Sequence, residues 1–200
     1  MNIYDISQEV LGCEVYPGAP SPRRELLSSL DNGDPYTLSA IYMCAHNGTH
    51  IDAPAHFING GDGITDIALG KTVGYAYVAR FDGDIGAAEA EHILEGARAS
   101  SPEAARRILI GGKATVTNEG ARVFASSGIL LLGNESQTVG PEDAPMAAHV
   151  ELLSKGVVLL EGIRLSAVPE GVYLLFAAPL AIADCDGSPC RALLVDIDGK

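Results

Sequence analysis

Apolar residues along this chain gather in short runs, most of them closed by glycine, with polar turns between. The plainest is Gly128-Ile-Leu-Leu-Leu-Gly133. A run apolar at every position, and too short for a helix, suits a strand covered on both faces. On this basis strands are predicted at 3–10, 37–44, 73–81, 107–110, 129–132, 157–160, 172–177 and 192–197. Helical spacing fits 87–97, then 117–126 with Thr117 as a cap and Gly128 beyond its end. A third helix is predicted at about 143–155. Asp143 can cap it, Pro145 fits its first turn and Gly156 stops it, and Met146, Val150 and Leu153 form its apolar face. Strands followed by helices, with some strand-to-strand connections, predict an α/β (α+β) domain around a mixed sheet. No Gly-x-Gly-x-x-Gly follows a strand, which argues against a doubly wound nucleotide fold.

Length and charge narrow the field further. Two hundred residues, 47% of them hydrophobic, suffice for one domain with its own core, assigned to 1–200. Thirteen basic against twenty-six acidic residues give a net charge of −13, which repels phosphate backbones and anionic lipid. Nucleic acid and membrane are therefore not expected as partners. The longest apolar stretch, 171–183, is broken by Pro179 and is too short to span a bilayer. No basic leader with an apolar run opens the chain, and four scattered cysteines make no disulfide framework. A cytoplasmic protein is expected.

The chemistry concentrates in one segment. Three of the five histidines fall in His46-Asn-Gly-Thr-His50-Ile-Asp52-Ala-Pro-Ala-His56-Phe57. Imidazole and carboxylate suit zinc, manganese or iron. In extended chain His50 and Asp52 point to the same side, about 7 Å apart at Cα, so both can reach one ion. A turn at Gly48-Thr49 can return His46 to the same point, while Pro54 stiffens the exit and leaves His56 nearby. Two downstream residues could complete the set. His149 borders the buried face of the third helix, and Glu161 ends the apolar run 157–161, where a carboxylate is costly unless paired or coordinating. Each, taken alone, also fits a structural or solvated role. His92 lies between Glu89 and Glu95 at helical spacing and is assigned to a solvated face. The phosphate-loop hint at Ile110-Gly-Gly-Lys-Ala114 lacks its first glycine and its Ser/Thr, and no Gly-x-Ser-x-Gly elbow is present.

The segment 46–57 resembles the His-x-Gly-Thr-His-x-Asp-x-Pro-x-His motif of the cyclase family, which includes bacterial kynurenine formamidases and isatin hydrolase-like enzymes. Tyr4-Asp-Ile-Ser7, Tyr16-Pro-Gly18, Leu132-Gly-Asn-Glu-Ser136, Ala148-His149, Leu160-Glu161-Gly162 and Ser188-Pro189-Cys190-Arg191-Ala192 follow in that family's order. The resemblance implies a barrel-like mixed-sheet core, a homo-oligomer (dimer or tetramer) and a metal-dependent hydrolase. By motif position His46, His50, Asp52, His149 and Glu161 would be metal ligands and His56 the catalytic acid/base. Two departures concern the pocket: Ala19 replaces the family's usual acidic residue, and 112–127 is short, in a chain without tryptophan.

The activity implied is hydrolysis of a small amide or formamide by metal-activated water, with His56 moving the proton. Cyclic amides or lactones are an alternative substrate class. A lyase or cyclase reaction, or a metal site that only stabilises the fold, are further readings. Three imidazoles and two carboxylates can hold one or two divalent ions, zinc or manganese, with Asp52 or Glu161 bridging. Tyr16, Tyr42 and Phe57 are the aromatics placed nearest the motif for binding a small-molecule substrate.

Overall fold

A computed structural model describes residues 1–197. Thirteen strands appear among these residues. They are β1 (Asn2–Asp5), β2 (Arg23–Ser28), β3 (Leu38–Tyr42), β4 (His50–Asp52), β5 (Val73–Arg80), β6 (Gly83–Ile85) and β7 (Arg107–Gly111). The rest are β8 (Ala114–Val116), β9 (Leu131–Asn134), β10 (Val158–Glu161), β11 (Gly171–Phe176), β12 (Gly187–Pro189) and β13 (Leu193–Asp196). The helices are α1 (Ala87–Ser100), α2 (Asn118–Ser126) and α3 (Met146–Leu153). Nine strands form one mixed sheet in the order β1-β13-β11-β5-β7-β9-β10-β4-β12, curled into a half-barrel. The four central strands β5, β7, β9 and β10 run parallel, and the strands outside them pair antiparallel.

The run Arg107–Gly111 shows why the apolar stretches are continuous. Ile108 and Ile110 point to one face, among Ala90, Leu94, Phe124 and Leu152 of the three helices. Leu109 points to the other, among Ile6, Ile51, Leu131, Leu160 and Leu175. Strand side chains alternate between faces. A strand buried on both sides must therefore be apolar throughout. The helices are the crossovers of the parallel strands and cover one face; the curl of the sheet encloses the other.

The mixed-sheet α/β expectation holds, with differences at particular elements. Helix α2 is capped as its sequence implies, the Thr117 hydroxyl accepting from the Gly120 N–H. Helix α3 begins later than expected, with Pro145 rather than Asp143 at its N-cap position. Its buried face is also different: Met146 and Val150 are 65% and 37% exposed, whereas Ala148, His149, Leu152 and Leu153 are buried. The helix is apolar almost all round, so periodicity alone does not choose its inward side. The expected strand 3–10 is regular only to Asp5, and 37–44 forms an arm with β2 that stands away from the main sheet. His92 is exposed and the cysteines are free, as expected.

Leu132 lies at the middle of the helix-covered face and is fully buried, whereas Ile3 on the edge strand is largely exposed. Leu132→Ala is expected to cost about 2–5 kcal/mol of unfolding free energy, the usual range for a truncated core leucine. Ile3→Ala should cost less than about 1 kcal/mol. Urea unfolding of both variants checks the difference, and equal costs would contradict this layering.

Candidate metal centre

Strand β4 is hydrogen-bonded between β10 and β12, and its register sets the centre. His50 lies opposite Glu161, and Asp52 lies opposite Leu159 on one side and Gly187 on the other. Alternation sends Ile51 into the enclosed core and turns His50 and Asp52 to the helix-covered face. Glu161 is on that face at the C-terminal end of β10, and α3 brings His149 over it. The loop before β4 is clamped at both ends. The Asn47 side chain accepts from the Cys44 N–H at 2.7 Å. The Thr49 hydroxyl donates to the Gly162 carbonyl at 2.7 Å and accepts from the Gln8 N–H at 2.9 Å. Gly48 between them has φ +66°, a conformation that favours glycine. His46 is thereby folded back over Asp52. Its ring lies so close to β12 that a Cβ on Gly187 would meet it at 2.5 Å.

All five expected ligands converge. His46 Nδ1 is 2.9 Å and His50 Nε2 3.3 Å from Asp52 Oδ1. His149 Nε2 is 3.6 Å from Asp52 Oδ2 and 3.1 Å from Glu161 Oε1, and His50 Nε2 is 3.4 Å from Glu161 Oε2. Two sets of donors result, His46/His50/Asp52 and Asp52/His149/Glu161, and they share the aspartate. The far nitrogen of each imidazole faces a fixed acceptor. His50 Nδ1 lies 2.9 Å from the Gly48 carbonyl and His149 Nδ1 2.8 Å from the Pro145 carbonyl. His46 Nε2 lies 2.9 Å from a carboxylate oxygen of Asp186. Such partners fix the tautomer and turn the other nitrogen towards the buried carboxylates, where an ion would be held.

The donor set fits a cation on a further observation. Asp52 and Glu161 are about 1–2% exposed, and buried carboxylates need a counter-charge. The Val139 N–H donates to Glu161 Oε1, but Asp52 Oδ2 is buried without a hydrogen bond. In the chain alone, protons on the imidazoles must supply the missing charge. Burial pushes the His50 pKa down, yet its bonds to Asp52 and Glu161 outweigh this and raise it to about 10. His46 and His149 are raised on the same balance, burial being outweighed by Asp52 and Glu161 respectively. Asp52, despite its burial, is held well below the usual carboxylate range by His46 and His50. A divalent ion supplies that charge while the imidazoles stay neutral.

A cavity of about 280 Å³ opens onto the centre, lined by His46, His50, His56, His149 and Glu161, with Tyr16 and Phe57 among its walls. His56 stacks on His46 with ring centroids 4.0 Å apart and packs edge-on against Phe57. Its burial lowers its pKa, so this ring, unlike its neighbours, favours the neutral form. Tyr42 is elsewhere: it sits on the β2–β3 arm under the Arg23 guanidinium, outside the cavity lining. Its nearness in sequence to the motif does not become nearness in space. Asp186, which no motif pointed to, joins the centre from the turn before β12.

Residues 4–140 match the family model described as Putative cyclase. The chain is 32% identical over 212 residues to a kynurenine formamidase of Erythrobacter litoralis (strain HTCC2594), covering 98% of this chain and 94% of that one. With a kynurenine formamidase of Bacillus mycoides (strain KBAB4) it shares 34% identity over 203 residues, 95% of each chain. A solved structure described as a potential metal-dependent hydrolase with cyclase activity superposes with a TM-score of 0.80, at 28% identity over 96% of both chains. Isatin hydrolase A from Labrenzia aggregata shares the fold, with a TM-score of 0.81 at 22% identity over 97% of this chain and 93% of that one.

Because Asp52 belongs to both donor sets, Asp52→Ala is expected to lose all bound metal. Gly187→Ala, by pushing the His46 ring aside, should weaken zinc binding roughly 10–100-fold, the scale for disturbing a ligand's support. Zinc titration calorimetry with elemental analysis measures both. Wild-type stoichiometry and affinity in Asp52→Ala would exclude this centre.

Proposed function

Since the chain belongs to the cyclase family, we propose that it is a metal-dependent hydrolase of small amide or formamide bonds, working at the His46/His50/Asp52/His149/Glu161 centre. The observation that carries the reading is the buried Asp52 shared by two three-donor sets beside a cavity that also holds a neutral imidazole. His46, His50, Asp52, His149 and Glu161 would hold the metal. A bound divalent ion lowers the pKa of its water to about 7 and polarises the carbonyl to be cleaved.

The chain's own groups supply the remainder. His56 faces the cavity as a neutral ring and takes the proton released when water attacks the carbonyl carbon. It returns that proton to the departing nitrogen, without which an amide C–N bond does not break readily. Tyr16 is anchored through its hydroxyl to the Glu142 carbonyl at 2.8 Å, so it presents a fixed ring to the substrate. Phe57, tilted against His149 at 4.6 Å between centroids, forms the apolar floor beside the acid/base.

Part of the same reading are one or two divalent ions, zinc or manganese, that Asp52 or Glu161 could share, and a cytoplasmic homo-oligomer. Two donor sets support a pair of ions. Four free thiols agree with a reducing compartment. Arm residues Leu26, Leu27, Ile41 and Tyr42 expose apolar surface on an isolated two-stranded sheet, which supports association with further copies. Among the described residues no helix is long and apolar enough to cross a membrane.

His56→Ala should retain its metal and lose roughly 10²–10⁴-fold in turnover, the usual worth of a general acid/base. Loss of metal on the scale of Asp52→Ala would reverse the role given to this ring. Hydrolysis in ¹⁸O-labelled water should place the label in the acyl product; an unlabelled product would indicate a lyase or cyclase step.

The cavity is small and has two aromatic side chains in its lining. Weak selectivity for N-formylkynurenine over compact amides and lactones is therefore expected, because stacking and apolar burial supply much of the binding energy for an aryl substrate. The comparison is kcat/KM across such a panel. A preference above about a thousandfold, worth roughly 4 kcal/mol of transition-state binding, would mean that the pocket has further walls.

A further inference from the structure

Asp186 stands on the open side of the centre, its side chain 46% exposed, where it touches both the metal-ligand set and the acid/base. One oxygen, Oδ2, lies 2.9 Å from His46 Nε2 and 3.2 Å from His56 Nδ1. The Cys185 thiol approaches the other, Oδ1, at 3.7 Å. The backbone holds this carboxylate firmly. The Asp186 carbonyl accepts the Ala53 N–H at 2.9 Å, and the Cys185 carbonyl accepts the Ile64 N–H at 2.8 Å. Two residues earlier Asp184 has φ 56°, the only positive φ at a non-glycine residue among those described. Such a conformation costs energy and is kept where the surroundings impose it. The turn aims Asp186 at the two rings, and the missing side chain of Gly187 lets His46 lie against it.

Resting on the hydrolase reading above, we propose that Asp186 is a positioning residue that holds His56 as its Nδ1–H tautomer and leaves Nε2 unprotonated for the reaction. The chemistry of the contact decides the tautomer. A neutral imidazole carries one N–H, and an ionised carboxylate only accepts, so the nitrogen facing Asp186 is the protonated one. The lone pair on Nε2 then receives the proton from the attacking water and later delivers it to the leaving nitrogen. Asp186 stays ionised throughout and stabilises the ring while it carries the extra proton. This is the division of labour between base and orienting carboxylate found in nucleophile–His–Asp systems. The same oxygen also faces His46 Nε2, which turns Nδ1 of that ligand towards Asp52. One carboxylate therefore sets the orientation of both members of the stacked pair.

His46, His56 and Asp186 are also close enough to form a third donor set, so a ligand role is the alternative that the experiment must separate. Long-range ¹H–¹⁵N spectra of the histidine rings in the zinc-loaded protein report the tautomer directly. His56 is expected as Nδ1–H in the wild type, shifting towards Nε2–H in Asp186→Ala. Zinc stoichiometry at saturating zinc should be unchanged, with affinity weakened by no more than the roughly 10–100-fold expected when His46 loses its acceptor. On the best amide of the panel, kcat should fall roughly 10²-fold or more, within the range of general acid/base effects, with KM changed by less than about threefold. In the His56→Ala background the same substitution should cost less than about threefold more, because it acts through the ring already removed. A wild-type His56 carrying its proton on Nε2 overturns the proposal, and that spectrum needs no variant to fold. Zinc loss in Asp186→Ala on the scale of Asp52→Ala at saturating zinc, or a full further loss of turnover in the double variant, overturns it as well. The spectrum requires no substrate, so it is decided separately from the hydrolase reading, which fails if the zinc-loaded and manganese-loaded wild type turn over no amide.

Discussion

A carboxylate enclosed by protein must be met by positive charge, and Asp52 places that demand at the end of the sheet. Strand β4 is only three residues long, but both of its edges are paired, so the Asp52 side chain cannot swing out to water. Everything polar around it answers that constraint. His46 and His50 approach one oxygen, His149 the other, and Glu161 adds a second buried negative charge beside them. A pair of carboxylates with three imidazoles is a poor way to stabilise a fold, because the desolvation cost approaches the Coulombic gain. It is a good way to attract divalent ions, which offset the same cost with charge that no side chain provides.

The topology explains why these residues can meet although they are far apart in sequence. Crossovers on one face bring α3 against the end of β10, so His149 and Glu161 come from consecutive elements of one βαβ unit. The motif 46–56 is delivered by a separate excursion of the chain that adds β4 antiparallel to β10. Register then matters more than proximity. A one-residue slip of β4 would send Ile51 to the site and His50 and Asp52 into the apolar core. Fully buried Ile51 and the flanking bonds of Thr49 to Gly162 oppose that slip. The packing of the enclosed core and the geometry of the candidate metal centre are thus fixed by the same three residues.

What could be read in the sequence follows from how improbable each residue is where it stands. Three histidines and an aspartate in eleven residues have few uses that do not involve an ion, so that part of the candidate centre was legible from the residues, whereas His149 and Glu161 were weak signals alone and were selected by the family resemblance. Asp186 was not legible, because an aspartate between Asp184 and Gly187 looks like any polar turn, and its partner His56 lies 130 positions away. The arm strand β2 was missed for a related reason: Arg23–Ser28 is solvated on both faces, so nothing forces its side chains to alternate. Tyr42 illustrates the converse error. It is close to the motif along the chain, yet it belongs to that arm, and the turn at 44–47 separates the two.

The stacked pair His46 and His56 puts one residue type into two different surroundings a few ångströms apart. His46 lies against the buried Asp52 and is drawn towards carrying positive charge, whether a proton or a neighbouring ion. His56 has no such carboxylate in contact, only the half-exposed Asp186, and burial dominates its titration, keeping it neutral. A ring that must accept and release a proton in each cycle cannot also be the permanent counter-charge of a buried acid. On the proposed reading, separating the two by one layer of stacking leaves the inner ring to the buried acid and the outer ring free to exchange its proton. The sequence spacing that makes this possible is Pro54. It starts the short turn Pro54–His56, ending the extended run after Asp52 so that the third histidine lies over the first instead of continuing along the strand.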